Sequence, residues 1–383
     1  MKIGILTYHW VANFGANLQA VSSYRNIQAL GHEPILINWI PSDTEKWYID
    51  VCGKSQLEIH QTFISSECRM TRICRTSNDV KDVIREHNIM YVIIGSDSLW
   101  NIIQQEPTTL DHRFPNPFWG EGIVVPHAAL SVSCQNARYD NFSSQEQESM
   151  KSLLSQFDFI TVRDSWTKLM VNHFISKDIS ITPDPVFAFP ETHSVITKSD
   201  ILKRYGLSEK YILFSFKRGR YFKLHRLWLY IIHKIYNRKG IMCVNLSTNM
   251  HSEPLGLDKT IDMPINPNDW YYLIKYSEAY IGVMMHPIIV CLRNSVPFYS
   301  FDHYGVGGFM RTNIKSSKIY HIVKKANLLK YYHSLKNNIL FPSPWKIINA
   351  LNHFPKEECT QFANAQKEVF INTLKCILPG NEL

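Results

Sequence analysis

LTYHWVANFGANLQA, residues 6–20, decides how the rest of the chain is read. It opens as the end of an apolar strand, KIGILTY, and crosses a turn of small and amide residues. It then runs at once into NLQAVSSYRNIQALG, a helix closed by Gly31. A second strand, PILINWI, follows at 34–40. Strand, turn, helix and strand in that order predict a parallel sheet, whose ligands bind beyond the carboxyl ends of the strands. Gly15 permits close backbone approach, and the helix N-terminus behind it offers N–H groups to an anion. A full G-x-G-x-x-G is absent, so a dinucleotide is not indicated. The plain alternative is strand-to-helix chemistry without a ligand.

The pattern continues outward. Residues 43–78 read as irregular and polar, DVKDVIREHN as a short helix and YVIIGSD as a buried strand. A long loop is expected over 102–125, then a strand at AALSVS, a helix at SQEQESMKSLLSQF, a strand at FITVRD and a helix at DSWTKLMVNHF. Prolines 183, 185 and 190 and the polar segment after them place a linker near 187–198. The alternation then restarts: strands at YILFSF, IMCVNLS, AYIGVM and VPFYSFD, with helices at HRLWLYIIHKIYNRKG, NPNDWYYLIKYSE and PIIVCLRNS between them. The expected fold class is α/β, two Rossmann-like domains facing each other across a cleft. The first spans 1–190 and the second 191–345. The amphipathic segment within 346–383 is expected to cross back to the first.

With 383 residues, 45% of them hydrophobic and 19% charged, the chain is long enough for two cores and too apolar for disorder. No run approaches the ~20 apolar residues of a membrane helix, and MKIGILTYH reads as a first strand rather than a signal peptide. Eight scattered cysteines without a C-x-x-C pair argue against zinc or a disulfide framework and for a reducing cytoplasm. The net charge of +8 suits an anionic partner, or else marks a mildly basic soluble enzyme.

Four further stretches could carry chemistry, each just after a strand. In IIGSDSLWN, 93–101, Asp97 stands where a carboxylate can take a proton from a hydroxyl; a helix cap by Ser96 or Asp97 is the alternative. In FITVRDSW, Arg163 is placed for two-pronged capture of a carboxylate or phosphate, or for a salt bridge to Asp164 or another acid. FSFKRGRYFKLHR, 214–226, gathers five basic residues and one histidine with no acid, which reads either as a solvated face or as an anion site. In VMMHPIIVCLRNS, His286 ends a strand, Pro287 fits a first helical position, and Arg293 lies two turns on. A lone histidine is usually structural, but one at a strand-to-helix junction suits an acid or an anion ligand.

Together these blocks resemble the polysaccharide pyruvyl transferase family over most of residues 1–302. The residues that carry the likeness are Asn13-Phe14-Gly15-Ala16-Asn17-Leu18-Gln19, then Gly95, Ser96, Asp97, Trp100 and Asn101. Val162-Arg163-Asp164, the D-P-V-F segment at 184–187, and His286, Ile289 and Val296-Pro297-Phe298 complete it. Met284 and Pro287 differ from residues common in the family, and its late basic residue has no direct counterpart. Arg293, Arg311 or Lys315 are the candidates to replace it.

The resemblance implies a GT-B-like fold. It implies phosphoenolpyruvate as co-substrate, no separate cofactor, and a lipid-linked saccharide of a surface polymer as acceptor. Arg163, Lys217, Arg218, His286 and Arg293 are expected to bind the donor. Asn13, Gly15, Gln19, Ser96, Asp97 and Asn101 are expected to meet the acceptor. His286 and Asp97 would be acid and base, with no metal. The competing readings are a nucleotide-sugar glycosyltransferase and a nucleic-acid-binding module. The second is disfavoured because the basic residues form no recognised nucleic-acid motif. KKANLLKYYHSLK, 324–336, reads either as a peripheral contact with the inner face of the cytoplasmic membrane or as a packed surface helix.

Overall fold

A computed structural model describes residues 1–102, 113–135, 137, 139, 142–191, 195–216, 226–248, 254–303, 306–307, 312–313, 317–336 and 340–378. The chain divides into two compact units, one of Met1–Pro190 with Gln366–Leu383, the other of Glu191–Ala365.

The first unit holds β1 (Lys2–Leu6), α1 (Phe14–Ala29), β2 (Glu33–Leu36), α2 (Ser42–Cys52), α3 (Lys54–Glu67), α4 (Ser77–Glu86), β3 (Tyr91–Ile94), β4 (His127–Val132), α5 (Ser144–Ser155), β5 (Phe159–Val162), α6 (Ser165–Phe174) and β6 (Ser180–Ile181). The strands form one sheet in the order β2-β1-β3-β4-β5-β6, all pairs parallel. Its central strands are apolar on both faces because helices cover both. Ile3, Ile5, Val92, Ile93, Ile94 and Leu130 are fully buried. Each such side chain contributes ~1.5–3 kcal/mol relative to exposure. Thr76 with Asp79 and Ser143 with Glu146 close capping boxes on α4 and α5, which fixes where those helices begin.

The second unit holds α7 (Lys198–Tyr205), β7 (Tyr211–Ser215), α8 (Arg226–Arg238), β8 (Met242–Leu246), β9 (Lys259–Ile261), α9 (Pro267–Lys275), β10 (Ala279–Gly282), α10 (Met285–Arg293) and β11 (Phe298–Asp302). A short antiparallel ribbon, β12 (Val306–Gly307) and β13 (Thr312–Asn313), follows, then α11 (Lys318–Lys325), β14 (Tyr332–Ser334) and α12 (Pro344–Asn352). Its sheet runs β14-β11-β10-β7-β8-β9, again parallel. The last helix, α13 (Lys356–Ile377), starts among the residues of the second unit and ends among those of the first.

Three expectations need correction. Residues 43–78 are not irregular: they contain α2 and α3. The core face of α3 carries Gln56 and His60 beside Leu57, Phe63 and Ile64, and those two polar residues mask its period. The linker is shorter than 187–198, because Phe187, Ala188 and Phe189 are buried in the first unit. The Ser22 hydroxyl donates to Pro185 O at 2.5 Å, and the Asn26 amide to Ala188 O at 2.9 Å. The basic segment 324–336 is not one surface helix. It ends α11, makes a 3-10 turn over Leu329–Tyr331 and forms the edge strand β14, with Leu328, Tyr331 and Leu335 buried. No helix among the described residues is long and apolar enough to cross a membrane.

Candidate functional site

Each sheet reverses its order of winding once. In the first unit β2 lies on one side of β1 and β3 on the other, so the switch falls between β1 and β3. In the second it falls between β7 and β10. Open α/β sheets bind ligands beyond the carboxyl ends of strands at such points. The loops that leave these four strands begin at Thr7, Gly95, Phe216 and Val283.

The first switch is stitched shut. The Thr7 hydroxyl donates to Ser96 O at 2.8 Å, and the Ser96 hydroxyl to Ser131 O at 2.8 Å. Ser96 is therefore spent on backbone and fully buried. Gly95 has φ +139°, and a Cβ there would meet Leu130 O at 2.0 Å. Asp97 follows at φ +101°, unusual for a side-chain-bearing residue. Its Oδ1 accepts the Ser98 N–H at 2.7 Å. Trp100, fully buried, stacks on Trp119 at 5.1 Å and anchors the loop from below. Asn101 is half-buried, its backbone N–H donating to Ser98 O at 3.3 Å.

Arg163 is 3% exposed. Its Nη1 donates to Asp184 Oδ2 at 2.9 Å and its Nη2 to Asp97 Oδ1 at 3.4 Å. Gln19 Nε2 donates to the same Asp184 oxygen at 2.6 Å. Burial opposes the guanidinium's charge, but Asp184 and Asp97 outweigh it and its pKa is raised. Arg163 therefore braces two carboxylates that the chain brings from β3 and β6, and neither Nη faces solvent. The expectation of Gln19 meeting sugar hydroxyls also changes, since it is fully buried against Asp184. Asp184 was visible only as part of D-P-V-F; its partners lie 21 and 165 residues away, too far for any local pattern.

The amide-rich turn answers to its own structure. Asn13 caps α1, its side-chain oxygen accepting from Gly15 N at 3.1 Å and Ala16 N at 3.4 Å. Gly15 lies inside the first turn of α1 and is not among the glycines with positive φ. Asn17 donates to His9 O at 2.6 Å and Val11 O at 3.4 Å, and its oxygen accepts from His60 Nδ1. Gln56 Nε2 donates to His60 Nε2. His60 is thus satisfied as a neutral ring, and burial pushes its pKa down to about 3. The unfolded chain binds a proton near the ordinary value while the folded chain does not. Stability present above pH 6.5 should therefore be lost progressively as pH falls toward 3. A His60→Gln variant should show a shallower loss of melting temperature over that window, and an identical slope would contradict this.

The second switch carries the remaining candidates. His286 is half-buried in the first turn of α10, directly after β10. The helix opens at Met285, so Pro287 is its third residue rather than its first. Met284 at the cap supplies no side-chain hydrogen bond to the first turn. Arg293 lies at the other end of α10, ~10 Å along the axis, where its Nε donates to Tyr271 Oη at 3.0 Å. His286 and Arg293 are therefore not brought together. Lys217, Arg218, Arg311 and Lys315 lie outside the described residues. One acid-bearing cluster that the sequence did not show is His233, Cys243 and Asp258, whose ligand atoms lie within 4.8 Å of one another. Asp258 there accepts from the Cys243 N–H at 2.7 Å and meets His233 Nε2 at 2.8 Å, while burial pushes the Cys243 thiol up to about 12.

Two parallel six-stranded sheets with helices, each with one switch point, define a GT-B-type α/β protein. The UDP-GlcNAc 2-epimerase of Neisseria meningitidis bound to UDP-GlcNAc superposes with a TM-score of 0.59 at 11% identity, over 99% of this chain and 100% of that one. The S. aureus MnaA–UDP structure gives 0.53 at 11% identity over 98% and 96%. A glycosyltransferase from Rickettsia africae gives 0.51 at 11% over 97% and 93%. The sequence matches the model of the polysaccharide pyruvyl transferase family over residues 13–304, and the chain belongs to that family. No curated protein matches it.

Proposed function

We propose that the chain moves the pyruvyl unit of phosphoenolpyruvate onto two hydroxyls of a saccharide, the lipid-linked repeat unit of a surface polysaccharide, and releases phosphate. The observation that supports it best is the start of α10. A nine-residue helix begins at the switch point of the second sheet with no side-chain cap, and His286 stands in its first turn. First-turn N–H groups and the helix dipole favour an anion there. Phosphoenolpyruvate offers a carboxylate and a phosphate on neighbouring atoms. Lys217 and Arg218, which follow Phe216 in sequence, are proposed as further cations for that anion, and Arg293, at the far end of α10, is not.

The chemistry then balances. His286 as imidazolium delivers a proton to C3 of the donor while a sugar hydroxyl oxygen bonds to C2. Asp97 takes that hydroxyl's proton. The C2–O bond to phosphate breaks as the second hydroxyl closes the ring, and its proton leaves with the phosphate. Arg163 and Asp184 act as positioning residues that hold Asp97. Peripheral membrane contact belongs to this reading only through the lipid carrier of the acceptor. His286→Ala should lower saccharide-dependent phosphate release from phosphoenolpyruvate by on the order of 10²–10⁴-fold, followed by phosphorus NMR. An unchanged rate would remove His286 from the mechanism.

A further inference from the structure

The first unit contains a cavity of about 350 Å³ that shares no lining residue with the Asp97–Arg163–Asp184 cluster. Its floor is made where β1 and β2 end, by His9, Trp10, Asn38 and Ile40. Its side is α3, which presents Glu58, Gln61, Thr62 and Ser65. Those four recur at helical spacing on one stripe, while Leu57, His60 and Phe63 on the opposite face are buried.

The floor is a built polar surface. His9 is fully buried, and its Nδ1 lies 2.9 Å from Thr7 O, a group that can only accept. His9 therefore donates from Nδ1. Burial lowers its pKa and keeps it neutral, so Nε2 is an acceptor. Its partner 2.9 Å away is the Asn38 side-chain amide, placed with Oδ1 toward the ring; a neutral His9 donating from Nδ1 calls for that amide to be turned over, with its NH2 toward Nε2.

The walls mix these polar groups with Ile40, Ile64 and Met70. Among the described lining residues there are two carboxylates, Glu45 and Glu58, and no lysine or arginine. Arg75 holds Glu45 at 2.9 Å and Lys54 reaches Glu58 at 3.6 Å from outside the lining. A phosphate or carboxylate would find no cation on this surface. A ring with hydroxyls at its rim and C–H groups on its faces would find partners for both. The volume stands at the small end of ligand pockets, roughly 300–1,000 Å³, as suits one sugar residue rather than a chain.

We propose that this cavity binds one uncharged pyranose of the acceptor. The inference rests on the saccharide-acceptor reading above and adds the place and the charge class. The test is saturation-transfer NMR on the full chain with methyl glucoside, methyl galactoside, methyl mannoside, N-acetylglucosamine and methyl glucuronide. Transfer to at least one of the first four, and none to the glucuronide, is expected. Thr62→Trp, at an exposed position, should fill the cavity and weaken that binding at least tenfold with an unchanged melting temperature. Gln61→Ala should weaken it less. No transfer to any uncharged sugar, or transfer that survives Thr62→Trp, would overturn the proposal. Phosphoenolpyruvate titrated into the unsubstituted protein, beside the sugars, separates the two readings. Donor binding without sugar binding removes the cavity assignment alone, and sugar binding without donor binding removes the pyruvyl donor alone.

Discussion

Arg163→Met should destabilise the first unit by about 3–5 kcal/mol, the loss that follows when one partner of a buried ion pair is removed. The guanidinium is 3% exposed and serves Asp97 and Asp184 together. Methionine fills much of its volume but leaves two carboxylates facing each other out of water. At roughly 2–4 °C per kcal/mol for a unit of this size, the melting temperature should drop by about 10 °C. The pH dependence gives a second readout. The abandoned carboxylates would take up protons more readily folded than unfolded, so the deficit should be larger at pH 8 than at pH 5. Arg163→Lys should recover part of the loss, since it restores the charge without the two-pronged geometry. A deficit below 1 kcal/mol with no pH dependence would show that the cluster is not a brace.

Gly95→Ala should be worse. The new Cβ would sit 2.0 Å from Leu130 O and 2.9 Å from its carbonyl carbon, both backbone atoms of the adjoining β4. Neither can swing aside, so β3 and β4 must part at the first switch point. The φ of +139° adds roughly 1–3 kcal/mol of strain for any side-chain-bearing residue. Gly31→Ala is the control. It too has positive φ, +82°, but a Cβ there meets nothing within 4 Å, so it should lose only ~1–2 kcal/mol. Soluble, normally folded Gly95→Ala protein would contradict the described approach of β3 to β4.

The alternating strands and helices, and the placing of motifs just after strands, were legible because buried parallel strands read as short apolar runs. The sequence also pointed to both switch points, through the turn after β1, the loop at Asp97 and the histidine after β10. What it could not supply was pairing at long range. For Arg163 the sequence leaves open anion capture or a salt bridge, and only the structure supplies the acid, Asp184, 2.9 Å away. Gln19 looks like a sugar ligand until its amide is found on the same oxygen. In both cases a residue type suited to ligand binding is used to hold neighbouring parts of the chain instead. The helix α3 escaped for a different reason. Gln56 and His60 lie on its core face, satisfied by each other and by Asn17, and a period read from apolar residues passes over them.

The central claim is the transfer itself. Phosphoenolpyruvate labelled with carbon-13 at C2 would be incubated with the protein and the panel of uncharged pyranosides, and followed by carbon and phosphorus NMR. The account predicts inorganic phosphate only when a saccharide is present, in step with a new ketal carbon and without free pyruvate. Phosphate accompanied by free pyruvate regardless of saccharide, or no consumption of phosphoenolpyruvate while a UDP-sugar donor is turned over, would contradict it.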